Sequence, residues 1–177
     1  MAKADLRVQG PQATVPLRIA ASATRYEVGE PLTSTATLSS GVASANTFVL
    51  AAADFVTNGT NWFGGVAIKR CRPLGTGTVT AHTSRAVRPI GYAGQLWGRA
   101  ETVASVDTDA ELLAILHDVT RVDYDATGAA DGGQLYTVKE AAAQDTDLFS
   151  IIDGNITTGD LGLLVDQLAY RIDNDYT

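Results

Sequence analysis

Apolar and polar positions alternate in short runs along most of this chain. Val15, Leu17 and Ile19 alternate with Pro16, Arg18 and Ala20, the two-residue period of a strand with one buried face. Residues 33–38 repeat the pattern with smaller side chains, and residues 47–50 form a short apolar run. Residues 62–70, with Val66 and Ile68, and residues 78–87, rich in β-branched side chains, predict two more strands. In the second of these Thr78, Thr80, His82 and Ser84 fall on one polar face. Residues 119–124, 134–138 and 149–152 continue the series, and residues 161–172 predict the last strand, with Leu163 and Val165 on one face and Leu164 and Leu168 on the other. Turn signals separate these runs: Gly29-Glu30-Pro31, Ser39-Ser40-Gly41, Asn58-Gly59, Gly75-Thr76-Gly77, Asp131-Gly132-Gly133 and Asp153-Gly154-Asn155.

One segment changes period. Thr108-Asp109-Ala110-Glu111 has the form of a capping box, and Leu112, Leu113, Ile115 and Leu116 follow at helical spacing. This predicts one short helix over about residues 108–118, with Asp107 and Asp109 at the positive end of its dipole and His117 near the negative end. About ten short strands and one helix imply a mainly β protein, a small barrel or sandwich. Pro11 and Pro16 disfavour helix at the start, where little marks a core. Residues 1–24 therefore read as an extended N-terminal arm and residues 25–177 as the β-rich domain.

Charge adds an asymmetry that the pattern does not show. Up to Ala100 the chain has ten Lys/Arg and four Asp/Glu; from Glu101 it has three and sixteen, so +6 is followed by −13. Such a split suits electrostatic complementarity between copies or toward a larger charged surface. It also makes residue 100 a candidate subdivision. Nucleic acid is a poor partner, because no cluster of cations is interleaved with stacking aromatics and the acidic half repels phosphate. No apolar run is long enough to span a membrane, and the start lacks the apolar segment of a signal peptide, which predicts synthesis in the cytoplasm.

Candidate chemistry is sparse. Cys71 has no second cysteine to pair with, and between Arg70 and Arg72 it reads as an inert strand or loop residue rather than a reactive thiol. His82 and His117 are the two histidines; with Cys71 they are scattered rather than at ligand spacing, so no zinc site is expected. Gly75-Thr76-Gly77 lacks the further glycine and helix of a phosphate loop. Asp123 with Asp125, and Asp145 with Asp147, have neither the calcium-loop spacing nor a supporting acid/base frame. There is no Gly-x-Ser-x-Gly elbow. The expectation is a non-enzymatic protein with no metal and no cofactor.

The order of short motifs is distinctive. Gly29-Glu30-Pro31-Leu32 leads into a strand; Phe63-Gly64-Gly65-Val66-Ala67-Ile68 follows, then Gly77-Thr78-Val79-Thr80-Ala81, and late come Asp153-Gly154-Asn155 and Gly162-Leu163-Leu164-Val165-Asp166. Over roughly residues 25–172 this resembles the small β-barrel capsid decoration (cement) proteins of tailed bacteriophages. The helix and the longer acidic half depart from that pattern. The resemblance implies a structural virion protein on the outer capsid surface, with the major capsid protein and other copies of itself, as a homotrimer, for partners. Leu6, Arg7 and Val8 in the arm, and Arg85, Arg88, Tyr92 and Arg99 around the apolar segment at residues 90–93, are the candidate interface residues. The alternatives are another virion component, in the tail or head completion, and a small carbohydrate-binding domain using Trp62, Tyr92 and Trp97.

Overall fold

A computed structural model describes residues 6–21, 26–34, 38–39, 42–43, 48–50, 63–71, 80–90, 93–124, 136–140 and 149–165. The expected turns at Ser39-Ser40-Gly41, Asn58-Gly59, Gly75-Thr76-Gly77 and Asp131-Gly132-Gly133 fall wholly or mostly outside these residues, as do Trp62, Tyr92 and Asp125. The protein is mainly β. Its strands in chain order are β1 (Arg7–Gln9), β2 (Gln12–Ile19), β3 (Pro31–Ser34), β4 (Leu38–Ser39), β5 (Val42–Ala43), β6 (Phe48–Leu50) and β7 (Phe63–Ala67). They continue with β8 (His82–Pro89), β9 (Gln95–Arg99), β10 (Val119–Thr120), β11 (Val122–Tyr124), β12 (Tyr136–Val138), β13 (Phe149–Asn155) and β14 (Asp160–Val165). A 3-10 turn at Val103–Ser105 and one helix, α1 (Asp109–Ile115), complete the set. Among the described residues no helix is long and apolar enough to cross a membrane.

The first lobe is a barrel-like ring in which β2, β6, β3, β7 and β8 are successive neighbours. Its longest seam pairs all of β2 with β8, from Gln12 opposite Pro89 to Ile19 opposite His82. The ring is completed between β2 and β6 by one parallel pair, Ile19 with Phe48, backed by the Ala20 N–H donating to the Phe48 carbonyl at 3.0 Å. The predicted alternation in β2 holds: Leu17 and Ile19 are buried while Thr14, Pro16 and Arg18 are exposed. Leu17, Ile19, Tyr26, Leu32, Ala67 and Ala86 form the core, with Val15, Phe48 and Cys71 packed against it.

The Phe63–Ala67 segment explains how one strand serves two cores. Leu32 pairs with Gly65 but Thr33 pairs with Phe63, so Gly64 is the extra residue of a bulge. A Cβ on Gly64 would lie 2.6 Å from the Phe48 ring and 2.9 Å from Leu17, so its hydrogen leaves room for the barrel core. Gly65 takes a φ of +131°, a conformation that L side chains rarely adopt. The bulge turns Phe63 and Val66 away from the barrel interior and into the second core.

That second core belongs to an antiparallel sheet in the order β1, β9, β14, β13, β10. The β11–β12 hairpin and α1 pack on it. Leu96, Tyr136, Val138, Phe149, Ile151, Leu161 and Leu163 are almost fully buried there, and the rings of Phe63 and Phe149 meet edge to face at 5.9 Å. The expected subdivision is thus spatial rather than sequential. The chain passes from barrel to sheet between Pro89 and Gln95, and β1 crosses back to join the second lobe.

Three expectations need correction. Over its described part the N-terminal arm is not free: Leu6 is buried in the second core, β1 pairs with β9, and β2 is a barrel strand. The capping box forms as expected, with the Glu111 N–H donating to Thr108 Oγ1 and the Thr108 N–H to Glu111 Oε2. The helix nevertheless ends at Ile115, short of Asp118, because Leu116 is extended and His117 takes a φ of 73°. The His117 N–H then donates to the Ile151 carbonyl and the Ile151 N–H to that of Asp118, so the strand captures the chain. The expected turn at 153–155 lies within β13; the real turn follows it, where Asn155 Oδ1 accepts from the Thr157 and Thr158 N–H groups.

Candidate interaction surface

Residues of β9 alternate between the core and an outer face. Leu96 enters the core, and a Cβ on Gly98 would meet Leu6 and Val138 there, so Gln95, Trp97 and Arg99 point the other way. On that outer face Trp97 lies over Gly162 of β14: a Cβ on the glycine would sit 2.9 Å from two ring atoms. The indole N–H donates to Gln95 Oε1 at 2.7 Å. Arg7, directly opposite Trp97 on β1, holds its guanidinium 5.7 Å from the ring centroid and donates to Asp160 Oδ2 at 2.7 Å. Arg99 stands opposite Asp160 in the register, half-buried, and its Nε has no acceptor among the described residues. The result is a strand face on which Arg7 and Arg99 flank a largely covered Trp97. Arg7 is nearly half exposed, so its ion pair contributes about 0–1 kcal/mol and the ring contact about 0.5–1 kcal/mol. Their effect is to fix the side chains in place.

The structure separates the other candidate interface residues. Leu6 is core, and Val8 is half-buried against the same core. Arg85 is exposed on the outer face of the barrel, with Arg18 on the neighbouring strand. Arg88 is structural: its Nε donates to the Gly64 carbonyl at 2.9 Å and its Nη2 to the Phe63 carbonyl at 2.6 Å, which ties β8 to the bulge. Burial lowers its pKa from the ordinary arginine value. Tyr92 lies outside the described residues. Of the seven, Arg7 and Arg99 therefore share one face, and Arg85 stands on another.

Groups that might have carried chemistry are held by local partners. His82 was expected on a solvated strand face. It is instead half-buried, stacked on Tyr26, with Nε2 at 3.1 Å from the Tyr26 hydroxyl and Nδ1 at 2.8 Å from the Thr80 carbonyl. Ser84 on the same face is buried while Thr80 is exposed, so this polar row turns into the barrel only from His82 onward. Burial raises the Tyr26 pKa. Cys71 is half-buried, and its backbone exchanges hydrogen bonds with Tyr26 at 2.8 and 3.3 Å. Asp123 accepts from Arg121 Nε at 2.7 Å and from Lys139 Nζ at 3.0 Å, and Lys139 also meets Glu101. Burial alone would lower the Lys139 pKa, but these two carboxylates outweigh it and raise it.

Sequence reasoning missed Asp160 as a partner on the Trp97 face, because it is 153 positions from Arg7 and only the sheet register brings the two together, and it missed Gln95 because strand β9 itself was not predicted. It also missed three exposed apolar side chains, Val28, Ile68 and Leu113. No protein-family model, curated protein or solved structure matches this chain.

Proposed function

We propose that this chain is a structural, non-enzymatic virion protein that binds the outer surface of a tailed-phage capsid and stabilises it. The observation that carries the reading is the Arg7–Trp97–Arg99 face: a hydrogen-bonded strand surface on which exposed Arg7 and half-buried Arg99 flank a largely covered Trp97. Rigid, broad faces of this kind suit docking onto another protein, because little side-chain freedom is lost on contact. Arginine suits the rim, since its planar fork engages carboxylates at two points. The sequence resemblance supports the same reading, and its first two motifs lie on β3 and β7, which pair with each other.

Carbohydrate binding draws no support from Trp97. Its exposure is 9%, and its ring is engaged by Arg7 and Gly162, which leaves little open face for a sugar. The test is immunogold labelling of phage particles purified from a lysate in which the chain is produced. Label distributed over the shell is the expected result. Label confined to the tail or the neck would move the protein to another virion component, and particles without label would end the virion reading.

A further inference from the structure

Two exposed patches on this molecule each have an apolar centre and carry opposite charge. The first lies at one end of the barrel. The Gly29 N–H donates to the Ala67 carbonyl and the Ala67 N–H to that of Glu30, which stitches the Glu27–Glu30 turn to the end of β7. This sets Val28, 56% exposed, and Ile68, 37% exposed, at the same edge. Lys69 and Arg70 follow Ile68 and are exposed, and the Ile68 N–H faces the carbonyl of exposed Arg85. The carboxylates of that turn are withdrawn: Glu30 is buried with its Oε2 on the Glu27 N–H, and Glu27 is half-buried. The patch is apolar with a basic rim.

The second patch is the outer face of α1. Leu112, Ile115 and Leu116 pack inward. Ala110, Leu113 and Ala114 are exposed at spacings of three and four residues, so they form one outward stripe, with exposed His117 just beyond the helix end. Leu113 is 68% exposed, the most of any large apolar side chain among the described residues. Asp107 and Asp109 are exposed at one end of the stripe, and no basic residue lies in the last turn. Leu113 stands open to solvent beside these acids.

We infer that the acidic-rimmed face of α1 docks on the basic-rimmed Val28–Ile68 patch of a second copy of this chain. An apolar centre within a charged rim on both sides is the usual anatomy of a protein contact. Opposite rims orient the copies and disfavour like-to-like pairing of either patch. Because the two surfaces differ, the contact is head-to-tail and generates a ring where the rotation closes. The inference stands apart from the virion reading: it uses neither Arg7 nor Arg99, so self-association and capsid docking succeed or fail separately.

Sedimentation velocity of the full chain across a concentration series tests it. The native protein should associate in low salt, and added salt should weaken the association. Two charge reversals follow, Lys69→Glu with Arg70→Glu, and Asp107→Lys with Asp109→Lys. Each alone should weaken self-association by about tenfold or more. Mixed together they should associate again, since the reversed patch of one variant then meets the reversed face of the other. Leu113→Ser, at a site open to solvent, should weaken association with an unchanged melting temperature, which separates loss of contact from loss of fold. A native chain that stays monomeric at every concentration, or variants that fail to associate on mixing while remaining folded, would overturn the inference.

Discussion

The barrel and the sheet lobe are both made of short paired strands, yet they bury different side chains. The barrel interior holds two alanines, Ala67 and Ala86, in its core, and it also encloses polar groups: Tyr26 with His82, and buried Glu30, Thr33 and Ser84. Its ring is completed by one residue pair. The sheet lobe packs Leu96, Phe149, Ile151, Leu161 and Leu163 against Tyr136 and two barrel residues, Phe63 and Val66. Large apolar side chains remove more area from water, so the sheet lobe should hold most of the stability. Cations also differ in their partners. Arg18, Lys69, Arg70 and Arg85 are exposed on or beside the barrel, whereas Arg121 and Lys139 in the sheet lobe are ion-paired with Asp123. The sheet lobe should hold most of the stability, and both lobes present charge: cations beside the barrel, and Arg7 with the acids of α1 on the sheet lobe.

The strongest way to break this comparison is Phe149→Ala. Phe149 is fully buried and touches Phe63 across the two lobes, so its loss should cost about 3–5 kcal/mol and destabilise both together. Urea unfolding followed by tryptophan fluorescence and by far-UV circular dichroism should give one shared, lowered midpoint. A barrel signal that keeps its native midpoint would show that the lobes unfold independently.

Deleting residues 1–10 is the next largest perturbation. It removes Leu6 from the second core and β1 from the sheet edge. The loss of the leucine alone should cost about 2–5 kcal/mol. Thermal unfolding should show a clear drop in melting temperature; an unchanged value would restore the reading of this segment as a free arm.

Arg88→Met sharpens the comparison at the junction. The substitution keeps an unbranched apolar stem but removes the donors to the Phe63 and Gly64 carbonyls. Losing these two hydrogen bonds at the bulge should cost about 1–3 kcal/mol. The exchange rates of amides in β7 and β8 should rise more than those in β13 and β14.

Glu30→Gln gives the smallest effect and a characteristic pH dependence. Burial raises the Glu30 carboxyl pKa, with the hydrogen bond from Glu27 opposing it. The native state then binds this proton more tightly than the unfolded chain. Its contribution to stability is complete below the ordinary carboxyl range and is lost as pH rises through the raised value. The glutamine variant should therefore gain stability relative to the native protein at pH 7, and the gain should vanish near pH 4. Urea midpoints at the two pH values measure this, and an advantage that grows on acidification would contradict it.

Much of the fold was legible because local rules set it. The alternation of Val15, Leu17 and Ile19 gave β2, and Thr108 with Glu111 gave the start of α1. The end of α1 was not legible, since a backbone pairing with Ile151 decides it. Strand β9 was missed because Gly98 and the non-alternating Leu96-Trp97 weaken its period; its pairing with β1 and β14 supplies what the sequence pattern lacks. The polar row of residues 80–84 pointed to solvent on pattern alone, but in a barrel one face of each strand must turn inward, and Tyr26 satisfies His82 there. For the candidate surface, the arginines were visible as residue types. Their sorting into Arg7 and Arg99 beside Trp97, Arg85 on the barrel, and Arg88 on backbone carbonyls depended on sheet register.

Docking through the Arg7–Trp97–Arg99 face is tested most directly by co-sedimentation with capsid shells stripped of this protein, for the native chain and for an Arg7→Gln, Arg99→Gln variant, at rising salt. Charge-assisted docking predicts that the native chain pellets with the shells, that salt releases it, and that the variant binds more weakly with a shallower salt dependence. A native chain that stays in the supernatant at low salt, or a variant that binds as tightly and with the same salt dependence, would contradict the account.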